Sequence, residues 1–139
     1  MKGISYSKTP LAKKLGIKEG FTIKLVTPPS DYFKLLGDFP ESIQVVSESE
    51  SKKNLIHYFV KSKKELEDEI LQLKDELYQN GALWISWPKM TSKVETDLNG
   101  NMVRKIGLDS GLVDIKVCAI NGVWSGLKFV IHVKNRHKL

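Results

Sequence analysis

The residues best suited to bind a ligand lie where predicted strands end, and the tripeptide Trp87-Pro88-Lys89 is the clearest case. An indole ring can stack on a planar group, and a lysine ammonium can pair with an anion. Pro88 fixes the backbone before Lys89, so the lysine should leave the strand in a definite direction. We therefore predict one site for a small anionic or aromatic ligand, with a protein partner as the alternative. Its candidate residues are Thr27, Pro28, Trp87 and Lys89.

The histidines and the single cysteine form no recognisable catalytic or metal-binding pattern. His57 lies in an apolar stretch without an acid or nucleophile at a catalytic spacing, so we interpret it as a core histidine satisfied by hydrogen bonds. His132 and His137 lack cysteines or a carboxylate cluster, so we predict no metal site and no catalytic residue. Cys118 can form no internal disulfide, and we interpret it as a small buried hydrophobe.

A run of acidic residues opens the clearest predicted helix. Negative charge in the first turns of a helix interacts favourably with the helix dipole. We therefore interpret these side chains as a solvated face that stabilises the helix. The residues are Glu65, Glu67, Asp68 and Glu69.

The charge of the chain is unevenly distributed. The net charge is +6, and residues 1–24 hold six lysines against Glu19 alone. The tail from Lys128 onward is basic and contains no acid. Such an asymmetry can attract nucleic acid, although no recognised nucleic-acid motif accompanies it.

The length and composition are typical of one small α/β domain over residues 1–139. A hydrophobic content of 41% is enough to bury one sheet under helices. No apolar run approaches the roughly 20 residues of a membrane span, and the N-terminus lacks the apolar core of a secretory signal. We therefore expect a cytoplasmic protein without a membrane partner. The basic ends, 1–8 and 134–139, are expected to be flexible.

Apolar runs predict six strands, of which the third is almost continuously apolar and should be central and parallel. Asn121-Gly122 favours a two-residue hairpin, so the last two strands should be antiparallel. The eight residues 47–54 can span at most about 26 Å. We therefore predict a stretched crossover there, with an antiparallel second strand as the alternative. The strands are predicted at 22–26, 43–46, 55–60, 82–87, 115–120 and from 123 onward.

Caps and helical spacing predict four helices. Ser62 and Glu65 have capping-box spacing, in which each side chain satisfies the other's backbone N–H. Asn80-Gly81 is expected to end that helix, and Asn99-Gly100 to delay the start of the next one. The helices are predicted at 10–15, about 31–36, 62–81 and within 98–107. The apolar face of the third is predicted as Leu66, Ile70, Leu73 and Leu77.

This order of elements resembles that of class I methyltransferases. The likeness rests on KLGIKEGFTIKLV at 14–26 and on LKDELYQNGALWISWPK at 73–89. More narrowly, YSKTPLAKKLGIK, WISWPK and LVDIKVCAINGVWSGLKFV resemble a small bacterial family of domains of unknown function. The resemblance implies an α/β fold with an open, mostly parallel Rossmann-like sheet and helices on both faces. It also implies a C-terminal antiparallel hairpin, while the short 47–54 connection predicts that one unit is shortened.

Three departures from the methyltransferase pattern argue against the family's cofactor, S-adenosylmethionine. The turn after the first strand, 27–31, contains no glycine and has two prolines that lack a backbone N–H. The acid that holds the ribose in the family would be Glu48 or Glu50, in a polar run that reads as a solvated loop. The short 47–54 connection also replaces a helix, a strand and a second helix. We therefore predict that the protein uses no cofactor.

The sequence thus favours a non-catalytic binding or regulatory module on a degenerate methyltransferase-like scaffold. The first alternative is a methyltransferase that binds S-adenosylmethionine at an atypical site. The second is a basic protein that associates with nucleic acid.

Overall fold

The computed structural model describes residues 9–136, in which a six-stranded sheet is covered by helices on both faces. The predicted α/β class, with its Rossmann-like sheet, is confirmed. The helices are α1 (Leu11–Leu15), α2 (Tyr32–Leu36), α3 (Lys63–Asp75) and α4 (Gly100–Asp109). The strands are β1 (Thr22–Val26), β2 (Gln44–Val46), β3 (Lys53–Phe59), β4 (Leu77–Pro88), β5 (Leu112–Ala119) and β6 (Trp124–Ile131).

The strand order is β2-β1-β3-β4-β6-β5, and β6 is the one strand that runs opposite to the other five. β3 is central, as predicted, because β1 and β4 pair with it on either side. β1 is followed in sequence by β2 on one side and by β3 on the other. The chain therefore reverses its direction of growth between β1 and β3, which is the topological switch point where open α/β sheets bind ligands.

The connection between β2 and β3 crosses β1 in only six residues, 47–52. β2 is parallel to β1, so the predicted crossover is confirmed and the antiparallel alternative is not. Val46 lies level with Lys24, and β3 begins about three residues further down the sheet. The connection spans about 10 Å along the strands and about 10 Å across them. It is not stretched, because β2 is only three residues long.

The two faces of the sheet bury separate apolar clusters. One cluster, under α3 and α4, includes Ile56, Leu66 and Phe129. The other, under α1 and α2, includes Leu15, Ile23 and Trp84. Trp84 and Trp87 lie three residues apart in β4, so they face opposite sides of the sheet, and Trp87 belongs to the first cluster. Cys118, on the edge strand β5, is only half-buried.

The predicted end of α3 at Asn80-Gly81 is wrong, because α3 ends at Asp75 and Leu77 already begins β4. Lys53 pairs with Leu77 and Leu55 pairs with Ala82, so residues 78–81 form a wide bulge opposite Asn54. At Gly81 a Cβ atom would lie 3.0 Å from the carbonyl oxygen of Lys53. The glycine therefore permits a close approach of two strands rather than a helix end.

Two further expectations about asparagine-glycine pairs are also corrected. The Asn99 side chain accepts a hydrogen bond from the Met102 N–H at 2.9 Å, so this pair starts α4 instead of delaying it. A two-residue hairpin of the common type needs positive φ at both central residues, which neither Asn121 nor Gly122 adopts. The hairpin is longer, and the Asn121 side chain closes it by accepting the Trp124 N–H at 2.8 Å.

The predicted flexible ends fall mostly outside the described residues, since 1–8 and 137–139 are not among them. Within the basic tail, Val133–Asn135 forms a 3-10 turn. In the part of the chain that the structure covers, no helix combines the length and apolar character of a membrane span.

Candidate functional site

The site is built at the carboxyl ends of β1 and β3, where the sheet has its topological switch point. Two segments, 26–29 at the end of β1 and 58–61 at the end of β3, line a cavity of about 380 Å³. Glu65 and Glu69 from α3 and Trp124 at the start of β6 complete its lining. We call this the switch-point cavity.

Thr27 joins the two strand ends that border the cavity. Its hydroxyl donates a hydrogen bond to the Phe59 carbonyl oxygen, 2.5 Å away across the switch point. Thr27 also adopts a φ of +50°, a left-handed conformation that is costly for a β-branched residue. The side chain thus occupies the gap between β1 and β3 where a glycine would leave open space.

The residues around this gap do not fit S-adenosylmethionine in the manner of a glycine-rich cofactor turn. Pro28 and Pro29 have no backbone N–H, and the Thr27 side chain fills the position of closest approach. The candidate ribose ligand Glu48 instead accepts hydrogen bonds from Ser51 and from Lys53. The hydrogen bonds from Ser51 are the main reason that the pKa of the Glu48 carboxyl is lowered. Neither Glu48 nor Glu50 lines the switch-point cavity.

Tyr58 contributes a buried hydroxyl to the same cavity. The side chain is 2% exposed, and its hydroxyl has no hydrogen-bond partner in the region that the structure describes. Burial is the main cause of a raised Tyr58 pKa, and the nearby carboxylates of Glu69, Glu65 and Asp68 raise it further. The hydroxyl therefore keeps its proton and sits in a negative field.

The acidic start of α3 is only partly the solvated face that we predicted. Ser62 accepts the Glu65 N–H at 3.2 Å, but the returning bond of a capping box, from the Ser62 N–H to the Glu65 carboxylate, is not formed. Glu65 and Glu69 line the switch-point cavity instead. Asp68 behaves differently, because it pairs with Lys64 at 3.3 Å on the exposed side.

The four candidate site residues occupy two cavities. Thr27 and Pro28 line the switch-point cavity, whereas Trp87 and Lys89 line a second cavity of about 690 Å³ beside the N-terminus of α4. Trp87 is 8% exposed and packs in the core under the helices. β1 and β4 flank β3, but no single described cavity is lined by all four residues.

His57 is a core histidine, as predicted, and both of its ring nitrogens have partners. Nδ1 lies 2.9 Å from the Tyr32 hydroxyl, and Nε2 lies 2.8 Å from the Ser86 hydroxyl. All three side chains are buried. Burial lowers the pKa of His57 to about 3 and raises that of Tyr32. The ring is therefore neutral at physiological pH and lies away from the switch-point cavity lining.

An ion network that was not predicted from the sequence joins β1 and β3 to the end of α3. The Glu76 carboxylate accepts hydrogen bonds at 2.8 Å from both Lys53 and Lys24. Burial alone would raise the Glu76 pKa, but the hydrogen bonds from these two lysines outweigh it and lower the pKa. Lysine is rarely buried, so the fully buried Lys53 could be placed in the core only once its partner was known.

Four residues that line the switch-point cavity were not predicted from the sequence: Tyr58, Glu65, Glu69 and Trp124. Tyr58 lies within an apolar strand and resembles an ordinary core residue there. The spacing of Glu65 and Glu69 was the available signal, because like charges four residues apart on a helix oppose each other. Trp124 was identified only as part of the final hairpin.

Comparison with solved structures identifies similar folds. A ribosomal protein L11 methylase from Lactobacillus delbrueckii subsp. bulgaricus is 15% identical, with a TM-score of 0.57 over 86% of this chain and 74% of that one. A precorrin-6y C5,15-methyltransferase from Geobacter metallireducens GS-15 is 7% identical, with a TM-score of 0.60 over 88% and 86%. A magnesium protoporphyrin IX methyltransferase from Synechocystis PCC 6803, with bound SAH, is 10% identical, with a TM-score of 0.57 over 88% and 78%.

The sequence itself matches no protein-family model and no curated protein. The narrower resemblance to a bacterial family of unknown function therefore stays a prediction. At identities of 15% and below, the structural likeness concerns the fold and not the activity. The chain has the Rossmann-like fold found in class I methyltransferases.

Proposed function

We propose that this chain is a non-catalytic module that binds a small ligand in the switch-point cavity of a methyltransferase-like fold. One observation carries the proposal. Side chains from β1, β3, α3 and β6 converge on a cavity of about 380 Å³ at the position where open α/β sheets hold ligands. That volume lies within the usual range for small-molecule sites, roughly 300 to 1,000 Å³.

The turn after β1 argues against methyl transfer from S-adenosylmethionine. Its two prolines supply no backbone donors, and the Thr27 side chain closes the gap between the strand ends. Without these donors the cofactor would lose the hydrogen bonds that a glycine-rich turn provides. A ligand of the switch-point cavity must instead be held by side chains.

A methyltransferase with an atypical cofactor site is the second candidate. The fold and the position of the switch-point cavity both favour it, since methyltransferases of known structure share this architecture. Calorimetric titration of the full chain with S-adenosylmethionine, and with S-adenosylhomocysteine, separates the two candidates. We expect no binding tighter than a Kd of about 10 µM, equivalent to about 7 kcal/mol. Tighter binding would establish the second candidate.

A fragment screen by nuclear magnetic resonance tests the binding proposal itself. The indole N–H signals of the three tryptophans report three places at once: Trp124 on the switch-point cavity, Trp87 on the second cavity, and Trp84 on the core. Trp84 donates to the buried Leu15 carbonyl at 2.9 Å and serves as the internal control. We expect ligands to shift the Trp124 signal and leave that of Trp84 in place.

Other outcomes of the screen lead to different functions. Shifts confined to Trp87 and the Lys89 amide would move the site to the second cavity, where our predicted anionic or aromatic ligand would then bind. A protein partner would broaden signals over a whole surface. Nucleic-acid binding is the third candidate function. Such binding should weaken steeply as the salt concentration is raised, because lysine contacts to phosphate release counterions.

A further inference from the structure

Tyr58 lines the switch-point cavity and carries an unsatisfied buried hydroxyl. Buried hydroxyls nearly always have a hydrogen-bond partner, because leaving one unpaired destabilises the folded state. Tyr58 is 2% exposed. Its hydroxyl is the one buried side-chain polar group without a hydrogen-bond partner among residues 9–136. Tyr58 is one of the residues that line the switch-point cavity, so a ligand bound there can supply the missing bond.

Glu65 and Glu69 place negative charge in the cavity lining near this hydroxyl. They lie four residues apart on α3, and both line the switch-point cavity. Within the described part of the chain neither carboxylate has a lysine, arginine or histidine at ion-pair distance, although Asp68 on the same helix does. A cation placed between them would relieve the repulsion of two like charges.

We propose that the switch-point cavity binds an organic ammonium ion. Its charged head lies between the carboxylates of Glu65 and Glu69 and donates a hydrogen bond to the Tyr58 hydroxyl oxygen. Its apolar or aromatic body lies against Val26, Val60 and the Trp124 ring, which belong to the apolar part of the lining.

The charge of the lining agrees with this ligand class. Glu65 and Glu69 oppose one cation, Lys61, so the described lining carries a net charge of −1. Lys61 and Glu65 are both exposed, whereas Glu69 is half-buried, so the less accessible charge of the lining is negative. A ring such as that of Trp124 can also attract a cation through its face. An anionic ligand would meet two carboxylates and gain only Lys61.

This inference rests on the proposed ligand-binding function, and it is tested with three probes of one shape. The probes are 2-phenylethylamine, the neutral 2-phenylethanol and the anionic phenylacetate, each titrated against the full chain while the Trp124 indole signal is followed. Probes of this size bind weakly, in the region of 1 mM. We expect the amine to bind about tenfold more tightly than either of the other probes.

Substitutions then assign the charge preference to named groups. Glu65→Gln and Glu69→Gln should each weaken binding of the amine about threefold to tenfold and leave binding of the alcohol unchanged. Glu67→Gln is the matched control, because Glu67 lies on the exposed side of the same helix and does not line the cavity. It should leave all three affinities unchanged.

Tyr58→Phe distinguishes a role of the hydroxyl in binding from a purely structural role. The substitution removes an unsatisfied buried hydroxyl and keeps the ring, so the midpoint of urea denaturation should stay the same or rise. Affinity for the amine should nevertheless fall about threefold or more. A lower midpoint together with unchanged affinity would overturn the role of Tyr58.

The possible failures are distinguishable. If all three probes shift Trp124 with equal affinity, the ammonium preference is wrong, while the switch-point cavity still binds ligands. If no probe shifts Trp124 at concentrations up to about 10 mM, both the cavity function and the ammonium preference are wrong. If the amine binds more tightly but Glu65→Gln and Glu69→Gln change nothing, the preference arises elsewhere and our assignment fails.

Discussion

The ammonium group of Lys53 lies 2.8 Å from the carboxylate of Glu76, and both side chains are almost completely shielded from water. Glu76 also binds Lys24 at 2.8 Å and Gln72 at 3.1 Å. Lys53 in turn donates to the Glu48 carbonyl oxygen at 2.6 Å. The pair therefore connects the start of β3 with the end of α3 through a continuous set of charged hydrogen bonds.

Glu76→Gln should strongly destabilise the fold. The amide keeps the shape of the side chain but leaves Lys53 as a buried cation without its main counterion. Breaking a buried pair in this way costs about 3 to 5 kcal/mol, and we expect the lower end because Glu48 lies 3.3 Å from Lys53. The measurement is urea denaturation, with the exposed Glu67→Gln as control, which should change the free energy of unfolding by less than about 0.5 kcal/mol. Equal effects of the two variants would contradict this prediction.

Acid should destabilise the protein through His57. Burial lowers its pKa from 6.5 to about 3, so between these two values the unfolded chain binds a proton that the folded chain does not. The free energy of unfolding therefore decreases as the pH falls through this window, by roughly 5 kcal/mol in total. Above pH 6.5 the contribution is fully present. His57→Gln should flatten this part of the stability profile, and an unchanged slope in the variant would show that His57 does not cause it.

The buried face of α3 can be tested with two leucines that differ in exposure alone. Leu73 is 4% exposed, whereas Leu71 is 57% exposed on the same helix. Leu73→Ala should lower the free energy of unfolding by about 2 to 5 kcal/mol, because it leaves a cavity in the core. Leu71→Ala should change it by less than about 0.5 kcal/mol. Denaturation midpoints that shift equally would show that the helix packs through a different face.

Lys74→Ala is not a neutral control for that experiment. The Lys74 ammonium donates a hydrogen bond to the Ser110 carbonyl oxygen at 2.9 Å, which ties α3 to the end of α4. From its position next to Leu73 on the helix, the side chain would be expected to face away from the core, but Lys74 is half-buried. The contact with Ser110 depends on how the two helices pack, which local sequence does not determine.

The strands were largely predictable because their apolar patterns are strong, whereas element ends depended on context. Three asparagine-glycine pairs were given a role from the sequence. The first was predicted to end α3, the second to delay α4, and the third to close a two-residue hairpin. In the structure one pair lies in a strand bulge, one caps a helix start, and one belongs to a longer hairpin. Asparagine and glycine tolerate several backbone conformations, so the surrounding tertiary structure decides among them.

The candidate site residues were predicted from the ends of the strands, and they lie in two places. Thr27 and Pro28 line the switch-point cavity, whereas Trp87 and Lys89 line the second cavity. The charge of the switch-point cavity depends on Glu65 and Glu69, and the way their helix packs over the sheet cannot be derived from local sequence. Their carboxylates became informative only when the structure showed that the capping box is half-formed and that, among the described residues, no cation lies at ion-pair distance from them.

The brevity of β2 makes the sheet uneven in its resistance to local unfolding. β2 contributes three residues at an edge and pairs with β1 alone, while β3 is held between two neighbours. Backbone amides of β2 should therefore exchange with deuterated solvent long before those of β3. The switch-point cavity spans this boundary, with β1 on its labile side and β3 with α3 on its protected side. A molecule bound in the cavity would contact both β1 and β3. It should therefore slow the exchange of backbone amides on the β1 side.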